Sequence, residues 1–520
     1  MASTTPAPAP STFKGNDKLL LGIVLGVVTF WLFAGTTGTI APNILADING
    51  AYSDPVHKTW ANPLIDVASM NLAVSITALF SGMFIVVAGG LADRIGRVRI
   101  SLIGNGLGIL GSLMIVLATG PFALPLMLSG RAIQGLSAAF IMPATMALVK
   151  TYWDGPGRQR AVSMWSIGSW GGSGLASIFG GYVATFVGWR WIFVASIVIS
   201  VIAILLMRGT PESKVVQTNT SKFDLAGVLV FMVSMLALMI VLIFGSKIGW
   251  LTPTTIGLFA VAVVGLFFLV RIERRAAKPF INFELFKNKT FTGVTISNFL
   301  LNGTIGLLIV TQQLLQIAGG MQASDAGLLT IGYGIMIIAF IRLGEKLLQR
   351  FGPRQPMIWG SAIVGVASIL LLPTNLLLSE YRWLAVVAYA LFGLGLAFYA
   401  TPSTDAALAN LPADQAGAGS GIYKMASSLG GAIGAAISLA LFSAFSSSGA
   451  QFIGDVLITQ GRTDNAAIRQ AAVVALLFNV VMVVIAIVSI MATVPKARVR
   501  AETVATPVVE PVETVETPGG

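Results

Sequence analysis

The sequence has 520 residues, of which 55% are hydrophobic and only 10% are charged, and its mean hydropathy is +0.85. Soluble domains carry about 25% charged residues, so this composition excludes a soluble protein and indicates a chain that lies largely within a lipid bilayer. The formal net charge of +11 would suggest nucleic acid as a partner of a soluble protein, but here membrane topology explains it.

Fourteen apolar segments are long enough to form transmembrane helices, since a spanning helix needs roughly 20 mostly apolar residues. In chain order they cover residues 19–41, 67–91, 99–118, 123–149, 161–186, 191–207, 225–246, 254–271, 291–317, 326–345, 357–374, 383–408, 416–444 and 471–494. These segments predict an all-α polytopic membrane protein. Residues 1–17 and the acidic residues 496–520 are predicted to be disordered tails, because their composition cannot bury a core.

The basic residues predict how these helices are oriented. With the N-terminus in the cytoplasm, about three quarters of the 32 Lys and Arg residues lie in inward-facing segments, as the positive-inside rule requires. Adding or removing one helix would invert every later loop and destroy this asymmetry. We therefore expect an even number of helices in the bacterial plasma membrane, with both termini cytoplasmic.

A weak internal repeat divides the chain into two parts. The pattern P-x-T-x-A at residues 143–147 of span four recurs at residues 402–406 of span twelve. This spacing equates span four with span twelve, as in two six-helix halves with spans seven and eight inserted between them. We predict an N-terminal half at 18–208, two inserted helices at 209–275 and a C-terminal half at 276–495.

Between spans two and three, Gly89, Asp93, Arg94, Gly96 and Arg99 form the pattern G-x-x-x-D-R-x-G-x-x-R. A carboxylate beside a helix N-terminus, paired with an arginine, makes a contact that can form and break during a conformational change. A short solvated basic loop with a glycine turn is the alternative. The pattern resembles the cytoplasmic signature of the major facilitator transporters. That resemblance implies the major facilitator fold, with the aspartate capping a neighbouring helix and latching the outward-facing state.

Two further motifs lie in spans four and five. Arg131 in GRAIQG looks like the family's second motif, a buried arginine that tunes the charge of the cavity; a structural tie through backbone carbonyls is the alternative. Gly172, Gly180 and Gly181 fit the family's glycine-rich antiporter motif, although Ala176–Ser177 replace its usual Gly-Pro, and close helix packing is the alternative. The segment GWRWIF follows at residues 188–193. Together with this segment, the chain resembles the fourteen-helix drug/proton antiporters.

The resemblance implies proton coupling, which needs a carboxyl group within the membrane. Many fourteen-helix antiporters carry an acidic residue in span one, whereas this chain has Phe33 there. We predict that Asp405 carries the proton, with Lys424 on the next span as its partner, and that Glu345 beside Arg342 is a second candidate. A static ion pair near the cytoplasmic face is the alternative for both carboxyl groups.

Span nine carries four amide side chains that a continuous helix would place within about 40° of one direction. They are Asn298, Asn302, Gln312 and Gln316. An apolar wall with a few amides suits amphipathic ligands, so we predict that these residues bind substrate together with Phe33. Hydrogen bonding between helices is the alternative reading of the amides.

The chemistry of the chain argues against an enzyme. It has no cysteine and one histidine, His57, which excludes disulfides and leaves little for a zinc site or a catalytic triad. The resemblance instead implies a monomeric multidrug efflux transporter that exports amphipathic drugs such as fluoroquinolones by proton antiport with alternating access. We expect no cofactor, metal or nucleic acid. An exporter or symporter of a native metabolite or lipid on the same fold is the alternative.

Overall fold

The computed structural model describes residues 13–50, 62–214, 225–275, 283–321, 323–376, 378–447 and 465–496. Every regular element in these ranges is a helix, and the α-helices are numbered α1 to α17. They are α1 (Asp17–Asn49), α2 (Val67–Ile95), α3 (Arg97–Val116), α4 (Ala123–Tyr152), α5 (Gly155–Ser166), α6 (Gly172–Phe186), α7 (Arg190–Met207), α8 (Leu225–Ile248), α9 (Pro253–Glu273), α10 (Lys289–Gly303), α11 (Gly306–Ile317), α12 (Ala323–Leu328), α13 (Ile331–Phe351), α14 (Arg354–Leu370), α15 (Leu378–Ala409), α16 (Ala416–Ser447) and α17 (Ala466–Thr493).

Each of the fourteen predicted spans coincides with one helix or with two successive helices. Within the described residues, ten stretches of helix are individually long and apolar enough to cross a bilayer. The predicted all-α polytopic architecture is therefore confirmed. The predicted tails fall almost entirely outside the described residues, although α1 already begins at Asp17. His57 also lies outside them.

Short polar side chains and glycines set the ends of several helices. Asn16 Oδ1 accepts a hydrogen bond from the Leu19 N–H at 2.8 Å, and Asp66 Oδ1 accepts one from the Ser69 N–H at 2.8 Å. Such caps satisfy backbone donors that have no partner within the first turn. Gly352 follows the last residue of α13 with φ 72°, a left-handed conformation that costs glycine no steric clash.

Three spans that the sequence predicts as continuous helices are interrupted. In span ten, α12 ends at Leu328 and α13 begins at Ile331. In span five, the π-helical turn Ile167–Gly171 joins α5 to α6. In span nine, α10 ends at Gly303 and α11 begins only at Gly306, so the predicted continuous helix over 291–317 is wrong. Pro143 and Pro402 lie inside α4 and α15, where each removes one backbone hydrogen bond but leaves the helix unbroken.

The helices pack in two groups. In the first group, α1 to α7, helix α4 lies against α2 and α3, and α1 lies against α7. In the second group, α10 to α17, helix α15 lies against α13 and α14, and α16 lies against α10 and α17. Helices α8 and α9 pack on each other, and α8 contacts α2 and α16. The two groups meet where α16 crosses α2 and α4 and where α13 and α15 contact α5.

Glycines bring neighbouring helices into backbone contact within each group. A Cβ atom added to Gly360 on α14 would lie 2.5 Å from the Gly395 carbonyl oxygen and 2.9 Å from the Tyr399 nitrogen on α15. A Cβ atom added to Gly395 would lie 2.6 Å from the Gly360 carbonyl oxygen. This seam therefore depends on the absence of side chains, as is common between transmembrane helices.

We expect Gly360→Ala to lower the thermal unfolding temperature of the purified protein, because the added methyl group meets backbone atoms that cannot rotate away. Overpacking of this kind costs about 1–3 kcal/mol. The matched control is Gly257→Ala on α9, where an added Cβ atom has nothing within 4 Å, and this variant should be neutral or slightly more stable. Equal melting temperatures for the two variants would contradict the tight α14–α15 seam.

Candidate functional site

The two groups of helices are joined at one end of the bundle by the carboxylate of Asp93. We call this end, at which α1 begins and α17 ends, the terminal face. Asp93 lies in the last turn of α2 with 6% of its surface exposed. Its Oδ1 accepts from the Gly417 N–H and its Oδ2 from the Ala418 N–H, each at 2.9 Å. Asp93 thus caps the N-terminus of α16, where unpaired N–H groups and the helix dipole favour a negative charge.

Arg97 completes this contact from the first turn of α3. Its Nε and one terminal nitrogen lie 3.0 and 2.7 Å from Asp93 Oδ1. The same terminal nitrogen donates to the Ala413 carbonyl of the second group at 2.8 Å, and the other donates to Thr151 Oγ1 on α4 at 2.5 Å. Sequence reasoning missed Arg97 in favour of Arg94 and Arg99, of which Arg99 is exposed. The i, i+4 spacing from Asp93 was the signal that could have found it.

Glycine residues on α2 and α16 allow these two helices to approach each other closely beside Asp93. A Cβ atom added to Gly417 would lie 2.5 Å from the Gly89 carbonyl oxygen and 2.6 Å from Oδ1 of Asp93. A Cβ atom added to Gly89 would in turn meet the Gly417 carbonyl group. Because α2 and α16 touch backbone to backbone here, the short Asp93 side chain reaches the N–H groups of α16.

Glu212 holds the turn between α2 and α3. Its two carboxylate oxygens accept from the Val98 and Arg99 N–H groups, each at 2.9 Å, so that it caps the N-terminus of α3. Gly96 in that turn has φ 132°, and a Cβ atom there would collide with the Glu212 carboxylate. Sequence reasoning did not assign Glu212. We name Asp93, Arg97, Glu212 and the turn Ala413–Ala418 the Asp93 cluster.

A second contact between the groups pairs Asp405 on α15 with Arg158 on α5. Arg158 Nε lies 2.9 Å from Asp405 Oδ1, and the two side chains are 18% and 8% exposed. The predicted pairing of Asp405 with Lys424 is not the one that this structure shows. No pattern in the sequence points to Arg158, because the two residues are 247 positions apart and meet only through the packing of the groups.

Lys424 on α16 has a different environment. Its Nζ donates to Ser169 Oγ at 3.1 Å and lies 4.9 and 6.0 Å from the ring centroids of Trp165 and Trp170. Trp165 is fixed in turn by a 3.0 Å hydrogen bond from its Nε1 to Thr145 on α4. Lys424 is therefore a second-group residue held by first-group side chains.

Glu345 and Arg131 make contacts that are more local. Glu345 is buried on α13 and pairs within that helix, 2.6 Å from Arg342 and 3.3 Å from Gln349 Nε2. Arg131 is fully buried on α4. It donates to the Ala73 carbonyl on α2 at 3.0 Å and to its own-helix neighbour Gln134 Oε1 at 3.0 Å. These bonds match the structural tie between helices that the sequence left open for Arg131.

The glycines of span five differ in what they do. A Cβ atom added to Gly180 would collide with the Thr36 side chain, so Gly180 allows α6 to approach α1. Gly181 faces open space with nothing within 4 Å of such an atom, and Gly172 is buried. Close helix packing accounts for Gly180 without any further role.

The amides of span nine are divided by the break between α10 and α11. Asn298 is fully buried and donates to the Tyr423 carbonyl on α16 at 3.0 Å, and Asn302 donates to Asn298 Oδ1 at 2.9 Å. Gln312 and Gln316 lie on α11 and are half-buried. The common direction predicted for all four assumed one continuous helix, which the break between α10 and α11 interrupts. The side chain of Phe33 lies outside the part of the chain whose side chains are described.

Comparison with known proteins gives close relatives over nearly the whole length. The family model of the Major Facilitator Superfamily matches residues 23–435 and 296–513. The chain is 45% identical over 489 residues to "Quinolone resistance protein NorB" of Staphylococcus aureus strain COL, which covers 94% of this chain and 98% of the relative. It is 48% identical over 435 residues to the NorB protein of strain MRSA252, with coverages of 84% and 90%.

The helical bundle is also similar to solved structures. The proton:xylose symporter XylE, bound to 6-bromo-6-deoxy-D-glucose, superposes with a TM-score of 0.60 at 15% identity, covering 93% of this chain and 97% of that one. A bacterial homologue of the iron transporter ferroportin, in an outward-facing state with soaked iron, superposes with a TM-score of 0.57 at 12% identity, covering 91% and 98%. At these identities the likeness concerns the fold alone.

We expect Asp93→Asn to increase the population in which the two groups separate at the terminal face by tenfold or more. The variant keeps the shape of the side chain but removes its charge, and a hydrogen bond to a charged group contributes about 1.5–3 kcal/mol. Because the chain has no native cysteine, spin labels at Lys214→Cys and Arg350→Cys can report the distance between the groups.

The control for this measurement is Glu284→Gln, which removes an exposed carboxylate that lies outside the Asp93 cluster. Its distance distribution should equal that of the labelled parent. A distribution that stays unchanged in Asp93→Asn as well would show that the Asp93 cluster does not hold the groups together.

Proposed function

The chain belongs to the Major Facilitator Superfamily of membrane transporters, and we propose that it exports amphipathic drugs, quinolones among them, in exchange for protons. The observation that carries this proposal is the 45% identity to a quinolone resistance protein over 94% of the chain. At this identity over 489 residues, the same class of substrate is the simplest expectation. The transporter is proposed to act as a monomer.

The proposal places the terminal face in the cytoplasm of a bacterial cell, as the distribution of Lys and Arg predicts. It also divides the chain into halves at 18–208 and 276–495, with the helices of 209–275 between them. With this orientation, the Asp93 cluster and the pair Arg158–Asp405 close the cytoplasmic side. Alternating access then consists of rocking of the halves, which breaks both contacts and opens a path from the cytoplasm.

Within the described ranges, the charged contacts between the halves are few and reversible, which supports this cycle. Asp93 binds two N–H groups at the end of α16 without any interlocking of large side chains. Rocking by a few ångströms breaks these hydrogen bonds while the glycine seam of Gly89 and Gly417 lets the backbones slide. A contact of this kind stabilises one state without making it permanent.

Asp405 is our candidate for the proton carrier. It is 5% exposed, and its counter-charges, Arg158 at 2.9 Å and the nearby Lys150, both belong to the other half. When the halves separate, the carboxylate loses Arg158, and it then gains most by taking up a proton. Proton uptake is thereby tied to the conformation. Glu345 keeps its partner Arg342 on the same helix in any rigid-body motion, so it is the weaker candidate.

The driving force of one proton is sufficient for drug resistance. A single charge that moves down 100 mV releases about 2.3 kcal/mol, which sustains roughly a fortyfold concentration gradient. An exporter or symporter of a native metabolite or lipid would use the same fold. In the experiment below, proton movement driven by a drug separates a drug exporter from an exporter of a native metabolite, and the direction of that movement separates antiport from symport.

We expect norfloxacin to release protons from proteoliposomes that contain the intact protein, and Asp405→Asn to reduce this release at least tenfold while norfloxacin still binds. The reason is that an amide cannot exchange a proton. Proton movement is followed with a pH-sensitive dye, and binding by isothermal titration calorimetry. Glu345→Gln should retain more of the release than Asp405→Asn.

The matched control is Glu284→Gln, because Glu284 is an exposed carboxylate that pairs with Lys287 outside the helices of the bundle. This variant should behave as the intact protein does. If norfloxacin moves no protons through the intact protein, or moves them in the direction of uptake, the antiport proposal fails. If Asp405→Asn releases protons normally, Asp405 is not the carrier.

A further inference from the structure

The environment of Lys424 indicates which class of substrate this transporter binds. Lys424 lies eight residues into α16, which places it about 12 Å from the terminal face at 1.5 Å per residue. It is 8% exposed, and its neighbours Trp165, Ser169 and Trp170 are buried as well. All three neighbours belong to the first group of helices, so the Lys424 box, as we call these four residues, spans the boundary between the groups.

The partners of Lys424 are neutral. Among the residues that the structure describes, no carboxylate lies within ion-pair distance of its Nζ, and Asp405 pairs with Arg158 instead. The ammonium group has three N–H donors, of which one reaches Ser169 Oγ. The faces of the two indole rings supply the remaining stabilisation as cation–π contacts.

Neutral partners stabilise a buried cation without cancelling its charge. The box therefore keeps a positive potential inside a region of low dielectric constant, where an anionic group gains far more than it would in water. A buried charge without a counter-ion is rare in membrane proteins and normally marks a pathway for substrate or ions. Two indole rings beside it present flat apolar surface, which suits an aromatic ligand.

Because the Lys424 box lies at the boundary between the two groups, a ligand can reach it when the groups separate. Lys424 moves with the second group, whereas Ser169 and the indoles move with the first group, so a separation of the groups removes the lysine's partners and exposes its donors. We propose that the Lys424 box binds the carboxylate of flat aromatic substrates, with Lys424 as the charge partner and Trp170 as a stacking surface. This inference rests on the proposed function, and it deepens that function by adding a class of substrate: aromatic acids and zwitterions rather than purely cationic compounds.

The test compares ligands that differ only in the carboxylate. Binding of norfloxacin and of its methyl ester to the detergent-solubilised full chain is measured by isothermal titration calorimetry, and 2-naphthoate and 2-naphthamide form a second pair. The intact protein should bind each acid at least tenfold more tightly than its neutral counterpart. Lys424→Met should abolish this preference by weakening the acids, while the affinity for the neutral compounds stays within twofold.

Two further variants keep this result interpretable. Lys424→Arg retains the charge and should retain most of the preference for the acids, which a purely structural role of the lysine chain would not predict. Lys346→Met removes an exposed cation from α13 and should bind every compound as the intact protein does. Melting temperature and size-exclusion profile report whether each variant is folded.

Each outcome decides the proposal. Equal weakening of acids and neutral compounds in Lys424→Met would overturn the anion site, and so would unchanged binding. Failure of the intact protein to bind 2-naphthoate more tightly than 2-naphthamide would also overturn it. Lys424-dependent binding of 2-naphthoate, with no binding of norfloxacin and no drug-driven proton release, would uphold the site and refute the proposed drug export.

Discussion

The structure depends on one contact, in which the carboxylate of Asp93 caps the N-terminus of α16. Two backbone N–H groups of the second group and Arg97 of the first converge on this side chain. The carboxylate is nearly inaccessible to water, and Arg97 of its own group compensates only part of its charge, so the two N–H groups of α16 complete that compensation only while the two groups touch. A single acidic residue thereby links the packing of the whole bundle to the state of the terminal face.

The membrane explains why so few contacts of this kind exist. In lipid there is no hydrophobic driving force between helices, so packing relies on small residues such as Gly360 and Gly395, which bring backbones together. Contacts formed by glycine match the shapes of two helices closely, but they lack interlocking side chains that would stop one helix from sliding along the other. Polar contacts at the boundary, such as Arg158–Asp405, then decide which arrangement of the groups is favoured. The small residues therefore allow the helices to move, and the ionic contacts determine which arrangements of the two groups are stable.

Much of the fold could be predicted from the sequence, and less of the site. Length, hydropathy and loop charge predict the helices, because spanning a bilayer imposes a length and composition that are visible locally. The partner of Asp405 could not be predicted, since Arg158 lies 247 residues away and meets it only after folding. The break in span nine could not be predicted either, because neither threonine nor isoleucine, the residues at positions 304 and 305, prevents a helix from forming. Glu212 was missed because a cap can come from a distant loop.

Three polar contacts between the groups, all among the residues that the structure describes, lie at increasing depth from the terminal face. The Asp93 cluster is outermost, Arg158–Asp405 follows, and the Lys424 box is innermost. The first and third share α16, and Lys424 follows Gly417 by two turns of that helix. A tilt of α16 that frees Gly417 from Asp93 therefore also moves Lys424 away from Ser169. Because one rigid helix carries both contacts, an anion that binds Lys424 only in the open arrangement would stabilise the state in which the Asp93 cluster is broken.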